Sequence, residues 1–315
     1  MIGKKAKDLR IVFMGTPEFA VASLDALVKA GCHIAGVITA PDKAAGRGMQ
    51  LQQSAVKKYA VENNLHVLQP EKLKNPEFLE QLRSLQADLQ IVVAFRMLPE
   101  AVWNMPPMGS VNLHGSLLPQ YRGAAPINWA VINGEKETGV TIFKLKHEID
   151  TGDILLQESF PIGENETAGE VHDRMKEIGA QLLVKTIKAL AEGSFTETPQ
   201  NSAFKIQNSE LKHAPKIFTE TCRIDFSKTT EEVHNLIRGL SPFPGAFTML
   251  NGKTFKIYKT EKQTGPVTSA PGSFETDKKT FLKFACADGY VQVKELKLEG
   301  KKKMDIGDFL RGYHF

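Results

Sequence analysis

The stretch LRIVFMGTPEFAVASLDALVKAGCHIAGVITA, residues 9–40, decides the architecture of the first half of the chain. It opens with an apolar run that ends at Gly15, and Pro17 then introduces an amphipathic segment that ends at Gly31. A second apolar run, CHIAGVITA (32–40), follows directly. Strand, tight turn, helix, glycine stop and strand form the pattern of a βαβ unit, in which the two strands lie parallel.

The same alternation continues as far as residue 114. Helices are predicted at 54–64 and 75–86, and strands at 65–70, 89–95 and 109–114. Strands alternating with helices in this way predict an α/β fold with a doubly wound, mostly parallel sheet. Ligands of such sheets bind beyond the carboxyl ends of the strands, where the strand order reverses. His114 falls at one of these ends.

The pattern changes in the second half of the chain. The predicted elements are paired strands at 139–145 and 153–162, a long helix at 167–193, a short strand at 222–227, a helix at 229–240, and hairpins turning on Asn251-Gly252 and near Asp288-Gly289. A polar stretch without periodicity precedes the short strands. We therefore predict an α/β domain at 1–189, a linker at 190–208, and a small β-rich, barrel-like domain at 209–315.

Composition narrows the class of protein. No apolar run approaches the roughly 20 residues that a membrane span requires, so a cytoplasmic protein without a membrane partner is expected. Three scattered cysteines indicate neither a disulfide framework nor a zinc site. Residues 209–315 contain 18 Lys and Arg against 13 Asp and Glu, a difference of +5. This excess favours a polyanionic partner, and a solvated lysine surface is the alternative.

The stretch VNLHGSLLPQYRGAAP, residues 111–126, carries the candidate chemistry. Asn112 and His114 share strand parity, so their side chains should point to the same side. An amide N–H can hold a carbonyl oxygen that gains negative charge, and an imidazole can bind the same centre or exchange protons near neutral pH. The loop HEIDTGDIL (147–155) adds Asp150.

The role of Asp150 is open at this stage. Its carboxylate could set the tautomer of His114 and hold its charged form, or it could receive the proton that an attacking amine loses. The alternative is a structural histidine and an aspartate that caps a turn. The sequence contains neither a nucleophile elbow nor an HExxH motif. The three groups therefore suit direct acyl transfer to an amine better than covalent or metal catalysis.

Seven motifs, in order over nearly the whole chain, resemble those of the methionyl-tRNA formyltransferases, a branch of the folate-dependent formyltransferase family. They are FMGTPEFA, PDKAAGRG, VNLHGSLLPQYRGAAPINWA, TGVTI, DTGDIL, ETAGEVHDRM and HAPKI. The resemblance implies a Rossmann-like formyltransferase domain at 1–189 and a tRNA-binding domain at 209–315. It also implies a reaction in which 10-formyltetrahydrofolate donates its formyl group to the methionine amino group of initiator methionyl-tRNA, for translation initiation.

The resemblance implies roles for individual residues. Asn112, His114 and Asp150 match the catalytic trio, Ser116, Leu117, Leu118 and Pro119 match the folate-contacting segment, and Arg47, with Lys43 in the same insertion, matches the basic group that grips the acceptor end of the tRNA. The C-terminal domain, with Lys301, Lys302 and Lys303, is expected to contact the rest of the tRNA. No metal is needed, and a monomer is expected because one chain carries the whole site.

Two positions depart from the family pattern. Glu148 stands where a glycine is usual, and Phe95-Arg96 stands where Tyr-Gly is common. Both flank the expected pterin pocket.

Other functions fit parts of the sequence. Glycinamide-ribonucleotide and amino-sugar formyltransferases share the N-terminal machinery, but the insertion around Arg47 and the basic C-terminal domain favour tRNA. The intact trio disfavours a non-catalytic RNA-binding module. The GTPEF turn has one glycine where a dinucleotide fingerprint needs three, which disfavours a nicotinamide enzyme.

Overall fold

A computed structural model describes residues 5–45, 50–200 and 211–313. These residues form seventeen strands: β1 Arg10–Gly15, β2 His33–Ile38, β3 Lys43–Ala45, β4 Gln50–Gln52, β5 Val67–Leu68, β6 Leu89–Val93, β7 Ser110–His114, β8 Arg122–Gly123, β9 Glu137–Lys144, β10 Ile154–Pro161, β11 His213–Ala214, β12 Ala246–Leu250, β13 Lys253–Thr264, β14 Phe274–Thr276, β15 Leu282–Ala285, β16 Gly289–Leu298 and β17 Met304–Asp305. The α-helices are α1 Glu18–Lys29, α2 Ala55–Glu62, α3 Pro76–Ser84, α4 Glu100–Trp103, α5 Pro126–Ile132, α6 Ala168–Glu192, α7 Thr230–Gly239 and α8 Ile306–Gly312.

The chain divides into two compact units. The first comprises Met1–Arg122, Gly139–Phe160 and Asp173–Lys212, and the second Gly123–Thr138, Pro161–His172 and His213–Phe315. The predicted domain boundaries at 189 and 209 stay a prediction. They differ from the compact units because the segments 123–138 and 161–172 group with the C-terminal residues: Asn128 Nδ2, for example, donates to the Gly239 carbonyl oxygen at 2.7 Å.

The first unit is built on a seven-stranded sheet in the order β10-β9-β7-β6-β1-β2-β5. Pairs among β1, β2, β5, β6 and β7 are parallel, and β9 runs antiparallel to β7. The strand order reverses between β1 and β6. Strands β2 and β5 are added on one side of β1, and the chain then crosses to the other side of β1 to add β6 and β7. The doubly wound, mostly parallel α/β sheet predicted from the sequence is confirmed.

Burial explains why these segments are strands. Every residue of β6 is buried, and in β1 Ile11, Val12, Phe13 and Met14 are fully inaccessible. Parallel strands covered by helices on both faces are expected to read as continuous apolar runs of this kind. Helix α1 buries one stripe (Phe19, Ala20, Ser23, Leu24 and Leu27). The helix ends at Lys29, and Gly31 follows its C-cap with a φ of +75°, a left-handed conformation that suits glycine.

The second unit carries a six-stranded sheet. Five strands follow the path β12-β13-β16-β15-β14, and β17 pairs with β16. Its named ladders are antiparallel, and register shifts near Lys259 break the long β13–β16 ladder. Strands β12 and β13 turn on Asn251-Gly252, both with positive φ, which is the geometry of a type I′ hairpin. The predicted β-rich, barrel-like domain is confirmed as an open half-barrel.

Two predictions differ from the structure. Residues 222–227 are not a strand: Cys222, Ile224 and Phe226 are buried alternately, but only an isolated bridge joins Arg223 to Phe247. The start of the predicted linker, 190–208, is ordered structure, since α6 runs to Glu192 and residue 198 pairs with Ile154. In the described ranges, no helix is both long and apolar enough to cross a membrane.

Candidate active site

Asn112 and His114 lie at the carboxyl end of β7, between β6 and β9. Asn112 pairs in register with Phe143 of β9, and His114 pairs with Thr141. Residues two apart on a strand project from the same face, so the amide and the imidazole are neighbours there. Asn112 is half-buried, whereas His114 is only 7% exposed. The predicted placement at a strand end is what the structure shows.

The orientation of the His114 ring is fixed by a backbone group. Its Nε2 lies 2.9 Å from the carbonyl oxygen of Tyr121, and Phe143 packs edge-on against the ring. A carbonyl oxygen can only accept, so Nε2 must carry the proton in this contact. Nδ1 is then the nitrogen with a lone pair in the neutral ring. The sequence suggested Asp150 for setting the tautomer, but the Tyr121 carbonyl does so.

Asp150 faces the other ring nitrogen. Its Oδ2 lies 3.9 Å from Nδ1 of His114, and both side chains are largely shielded from solvent. This distance is too long for a direct hydrogen bond but short enough for strong attraction to an imidazolium. The carboxylate and imidazole predicted to act together are therefore brought together, across 36 residues of sequence.

The loop that carries Asp150 has an unusual backbone. Asp150 has a φ of +55°, a left-handed conformation that costs a non-glycine residue about 1 kcal/mol or more. Two residues on, a Cβ at Gly152 would lie 1.6 Å from the Lys144 carbonyl oxygen. Only glycine fits at that point. The DTGD sequence is thus explained by close backbone packing against the end of β9.

The predicted folate-contacting turn, residues 116–119, is rigidly held. The Thr141 hydroxyl donates to the Ser116 carbonyl oxygen and accepts from the Leu118 N–H, at 2.6 and 3.0 Å. Gln157 Nε2 donates to the Leu118 carbonyl oxygen at 2.8 Å. Ser116, Leu118 and Pro119 are buried, whereas Leu117 is half-buried. Of these four side chains, Leu117 is the one that keeps part of its apolar surface accessible.

A cavity of about 690 Å³ lies at the carboxyl ends of the strands. The residues that line it follow four strands of the sheet: Thr16 and Pro17 after β1, Ala40 to Lys43 after β2, Glu71 after β5, and Ala94, Phe95 and Arg96 after β6. It therefore sits at the reversal of strand order, where α/β sheets bind ligands. Its volume is in the range of small-molecule sites, about 300–1,000 Å³.

Charged groups on the cavity wall are partly engaged already. Asp42 Oδ2 lies 2.5 Å from Nζ of Lys57, and hydrogen bonds from Lys57 and Gln69 lower the pKa of this carboxyl. Arg96 Nη1 donates to the Glu71 carbonyl oxygen at 2.7 Å, and burial lowers the pKa of its guanidinium. The exposed Arg96 side chain is thus anchored to the cavity wall by its hydrogen bond to Glu71.

Within the described residues, the insertion expected to grip tRNA contributes two short strands. Strands β3 and β4 pair antiparallel, with Lys43 opposite Gln52. Lys43 is exposed and lines the cavity. Arg47 lies outside the described residues, so its predicted contact stays a prediction.

Sequence reasoning missed the residues that hold the site in place. Tyr121 acts through its backbone carbonyl, and Thr141 and Gln157 act through side-chain hydrogen bonds to the 116–119 turn. Gln200 lies in the predicted linker and yet is 3% exposed, bonded to the Asp150 loop. None of these contacts follows a sequence period. The TGVTI motif, which contains Thr141, was the one available signal.

The arrangement suits the addition of a nucleophile to a carbonyl carbon. An amide donor and a protonatable imidazole stand together at a strand end, with a carboxylate beside Nδ1 of the ring. Within the described ranges, no group of three or more His, Cys, Asp or Glu side chains could hold a metal ion.

Family models agree with this chemistry. Residues 9–187 match the formyl transferase family, and residues 216–314 match the formyl transferase C-terminal domain. The fold and site define a formyl-transferring enzyme.

Relatives of known name narrow the family further. Methionyl-tRNA formyltransferases from Bacteroides fragilis and Phocaeicola vulgatus are 53% and 56% identical to this chain. Each match covers 98% of this chain, with 97% and 96% of the relative. The chain belongs to the methionyl-tRNA formyltransferases.

Solved structures share the fold at low sequence identity. An N-formyltransferase from Helicobacter canadensis, in complex with folinic acid and dTDP-3-aminofucose, is 23% identical, with a TM-score of 0.68. The match covers 94% of this chain and 100% of that one. HypX from Aquifex aeolicus in complex with tetrahydrofolic acid is 19% identical, with a TM-score of 0.64, over 96% of this chain and 48% of that one.

Proposed function

We propose that the enzyme transfers the formyl group of 10-formyltetrahydrofolate to the amino group of methionine on initiator methionyl-tRNA. The observation that carries the proposal is the placement of Asn112, His114 and Asp150 at one strand end, in a chain whose full-length relatives are methionyl-tRNA formyltransferases.

The donor supplies an activated formyl carbon. The chain's own residues suit such a group: Leu117 keeps accessible apolar surface on a turn fixed by Thr141 and Gln157, and Phe95 lines the cavity. We assign the wall of Phe95 and Arg96 to the pterin. We assign the part of the cavity wall that carries Lys43 to the acceptor end of the tRNA, because cations neutralise phosphates.

Each residue of the trio has a separate role in the reaction. As the methionine amine adds to the formyl carbon, the Asn112 amide donates to the oxygen that gains negative charge. A proton on His114 Nδ1 adds a second donor, and Asp150 stabilises the imidazolium. The amine must lose a proton as the new bond forms, and the Asp150 carboxylate accepts it. Protonation of the departing folate nitrogen returns that proton.

One argument against a sugar acceptor loses its force. The sequence suggested that a small acceptor needs no second domain, but the Helicobacter protein, a complex with an amino sugar, matches 94% of this chain. The fold therefore does not separate the acceptors. The identity above 50% to relatives named methionyl-tRNA formyltransferase does favour tRNA.

The test is formylation of charged initiator tRNA, with charged elongator tRNA and a dTDP-amino sugar as competing acceptors. Each reaction is run with 10-formyltetrahydrofolate present or omitted. We expect donor-dependent formylmethionyl-tRNA with the initiator and far less with the elongator. Formylation of the sugar in preference to tRNA, or none at all, would contradict the proposal.

We also propose that the enzyme acts as a cytoplasmic monomer. The trio and the cavity both belong to one unit of a single chain. Light scattering after gel filtration should give a mass near 34.8 kDa. A dimer would contradict the monomer without affecting the reaction.

A further inference from the structure

We propose that Gln200 is a positioning residue for the reaction, because it holds the Asp150 loop in the conformation that faces the carboxylate towards His114. The inference deepens the proposed function of the same site. It concerns a side chain that touches neither the reacting atoms nor the trio's side chains.

Gln200 bridges two distant parts of the first unit. Its Nε2 donates to the carbonyl oxygens of Asp150 and Gly152, at 2.9 and 2.8 Å. Its Oε1 accepts from Nε and Nη2 of Arg122, at 3.2 and 2.5 Å. At 3% exposure, water has little access to compete for these bonds.

The chemistry of the three partners requires an amide. Arg122 offers only donors, so the amide oxygen must face the guanidinium. The NH₂ group must then face the two carbonyl oxygens, which only accept. A carboxylate at this position could accept from Arg122 but could not donate to the loop. A cationic side chain could donate to the loop but could not accept from Arg122. The orientation of Gln200 is thus fixed by its neighbours.

The Asp150 loop needs an external hold. Asp150 has a φ of +55°, and the preceding residue, Ile149, is 59% exposed and so adds little burial to the loop. A conformation that is unfavourable by itself persists where surrounding contacts over-determine it. The two hydrogen bonds from Gln200 hold the 150–151 and 152–153 peptide groups, on either side of the 151–152 peptide. Holding the 150–151 peptide group restrains the ψ angle of Asp150, and with it the direction in which the Asp150 side chain leaves the loop.

The charge of Arg122 explains why its guanidinium can hold the Gln200 side chain in place. Burial lowers the pKa of its guanidinium, against the opposing effect of the Asp150 and Glu148 charges. A partly buried cation without an acceptor would be costly, so Arg122 holds the Gln200 oxygen firmly.

Three variants test the inference. Gln200→Ala removes all four hydrogen bonds, and the isosteric Gln200→Glu keeps an acceptor for Arg122 but donates nothing to the loop. Glu197→Gln is the matched control, because Glu197 tethers the same segment to Lys144. We expect both Gln200 variants to lower kcat at least tenfold, with KM for tRNA and donor within twofold of wild type. The control should keep wild-type kcat.

A double-mutant cycle separates positioning from general structure. Single-turnover rates of Asp150→Asn and of Asp150→Asn with Gln200→Ala should differ by less than twofold, because Gln200 then has no carboxylate to position. An equal loss in both backgrounds would indicate a structural role and overturn the inference. Wild-type kcat in Gln200→Glu, or a raised KM with unchanged kcat, would also overturn it.

The outcomes remain decisive if a variant fails. If Gln200→Ala does not fold, or Asp150→Asn shows no turnover, the kcat and KM of Gln200→Glu decide alone. Wild-type activity in the same assay tests the proposed function separately, so an inactive wild type rejects that function and an active one leaves the variants to judge Gln200.

Discussion

The His114 side chain is positioned by a backbone carbonyl group as well as by its partner in the trio, Asp150. The Tyr121 carbonyl holds Nε2, so chemistry at this residue must pass through Nδ1, which faces Asp150. We expect His114→Ala to lower kcat at least a hundredfold, and Asn112→Ala to cost on the order of a hundredfold by removing an oxyanion donor. Single-turnover formylation of charged initiator tRNA measures both. Wild-type rates in both variants would reject the assignment.

Gly152 is the residue at which the loop has least freedom. Gly152→Ala would place a Cβ against the Lys144 carbonyl oxygen, at 1.6 Å before any movement. The backbone must shift, so we expect a stability loss of about 1–3 kcal/mol and at least a tenfold lower kcat as Asp150 moves. Denaturant unfolding and formylation rates measure the two effects.

Gly312→Ala supplies the control for the glycine experiment. A Cβ at Gly312 meets nothing within 4 Å, so this variant should keep both stability and rate. If Gly152→Ala is as active as its control, the tight packing of the loop has no bearing on the chemistry.

Single residues also show what the sequence could and could not predict. Asn112 and His114 were predictable because strand parity and a strand end are local properties. Tyr121 and Gln200 were not, because one acts through its carbonyl and the other through contacts 50 and 78 residues away. No periodic pattern marks a residue that holds a distant part of the chain by hydrogen bonds.

At the scale of elements, periodic segments were predictable for a physical reason. Apolar runs covered on both faces gave the parallel strands, and the amphipathic stripe gave α1. Residues 222–227 show the limit. Their alternate burial was real, but alternate burial does not require a ladder: Ile224 N–H bonds to Phe247 without continued pairing.

Helix α7 contains a buried histidine that makes the second unit sensitive to acid. His234 is 2% exposed, with Nδ1 2.9 Å from the Thr260 hydroxyl. Burial, and then the charges of Lys262 and Arg238, lower its pKa from 6.5 to about 4. Between these values the unfolded chain binds more protons than the folded one. Stability is therefore full above about pH 6.5 and is lost as pH falls towards 4.

His234→Gln tests this dependence, because glutamine can still bond to Thr260 but does not titrate. We expect the wild type to lose about 3 kcal/mol more unfolding free energy than the variant between pH 7 and pH 4. Urea unfolding at both pH values, followed by a probe in the second unit, measures the difference. Parallel pH curves for the two proteins would show that His234 is not buried as a neutral ring.

For the whole molecule, net charge overstates the cations available to a nucleic acid. The C-terminal region carries an excess of +5, but several of its lysines are already paired. Lys303, in the predicted triplet, lies 2.5 Å from Glu295, and Lys262 binds both Glu164 and Glu231. Lys43 differs, since it is exposed beside the cavity. Electrostatic binding should therefore be concentrated at particular positions.

Salt dependence tests this distribution of charge. Each phosphate that a cation of the protein neutralises adds about 0.7–0.9 to the steepness with which log affinity falls against log salt. We expect wild-type affinity for charged initiator tRNA to fall steeply with KCl, and Lys43→Ala to reduce that slope by about this amount. Lys29→Ala, an exposed lysine of α1 paired with Asp25, should leave it unchanged. A shallow wild-type slope would mean that binding to phosphates does not drive association, and equal slopes for wild type and Lys43→Ala would remove Lys43 from the tRNA interface.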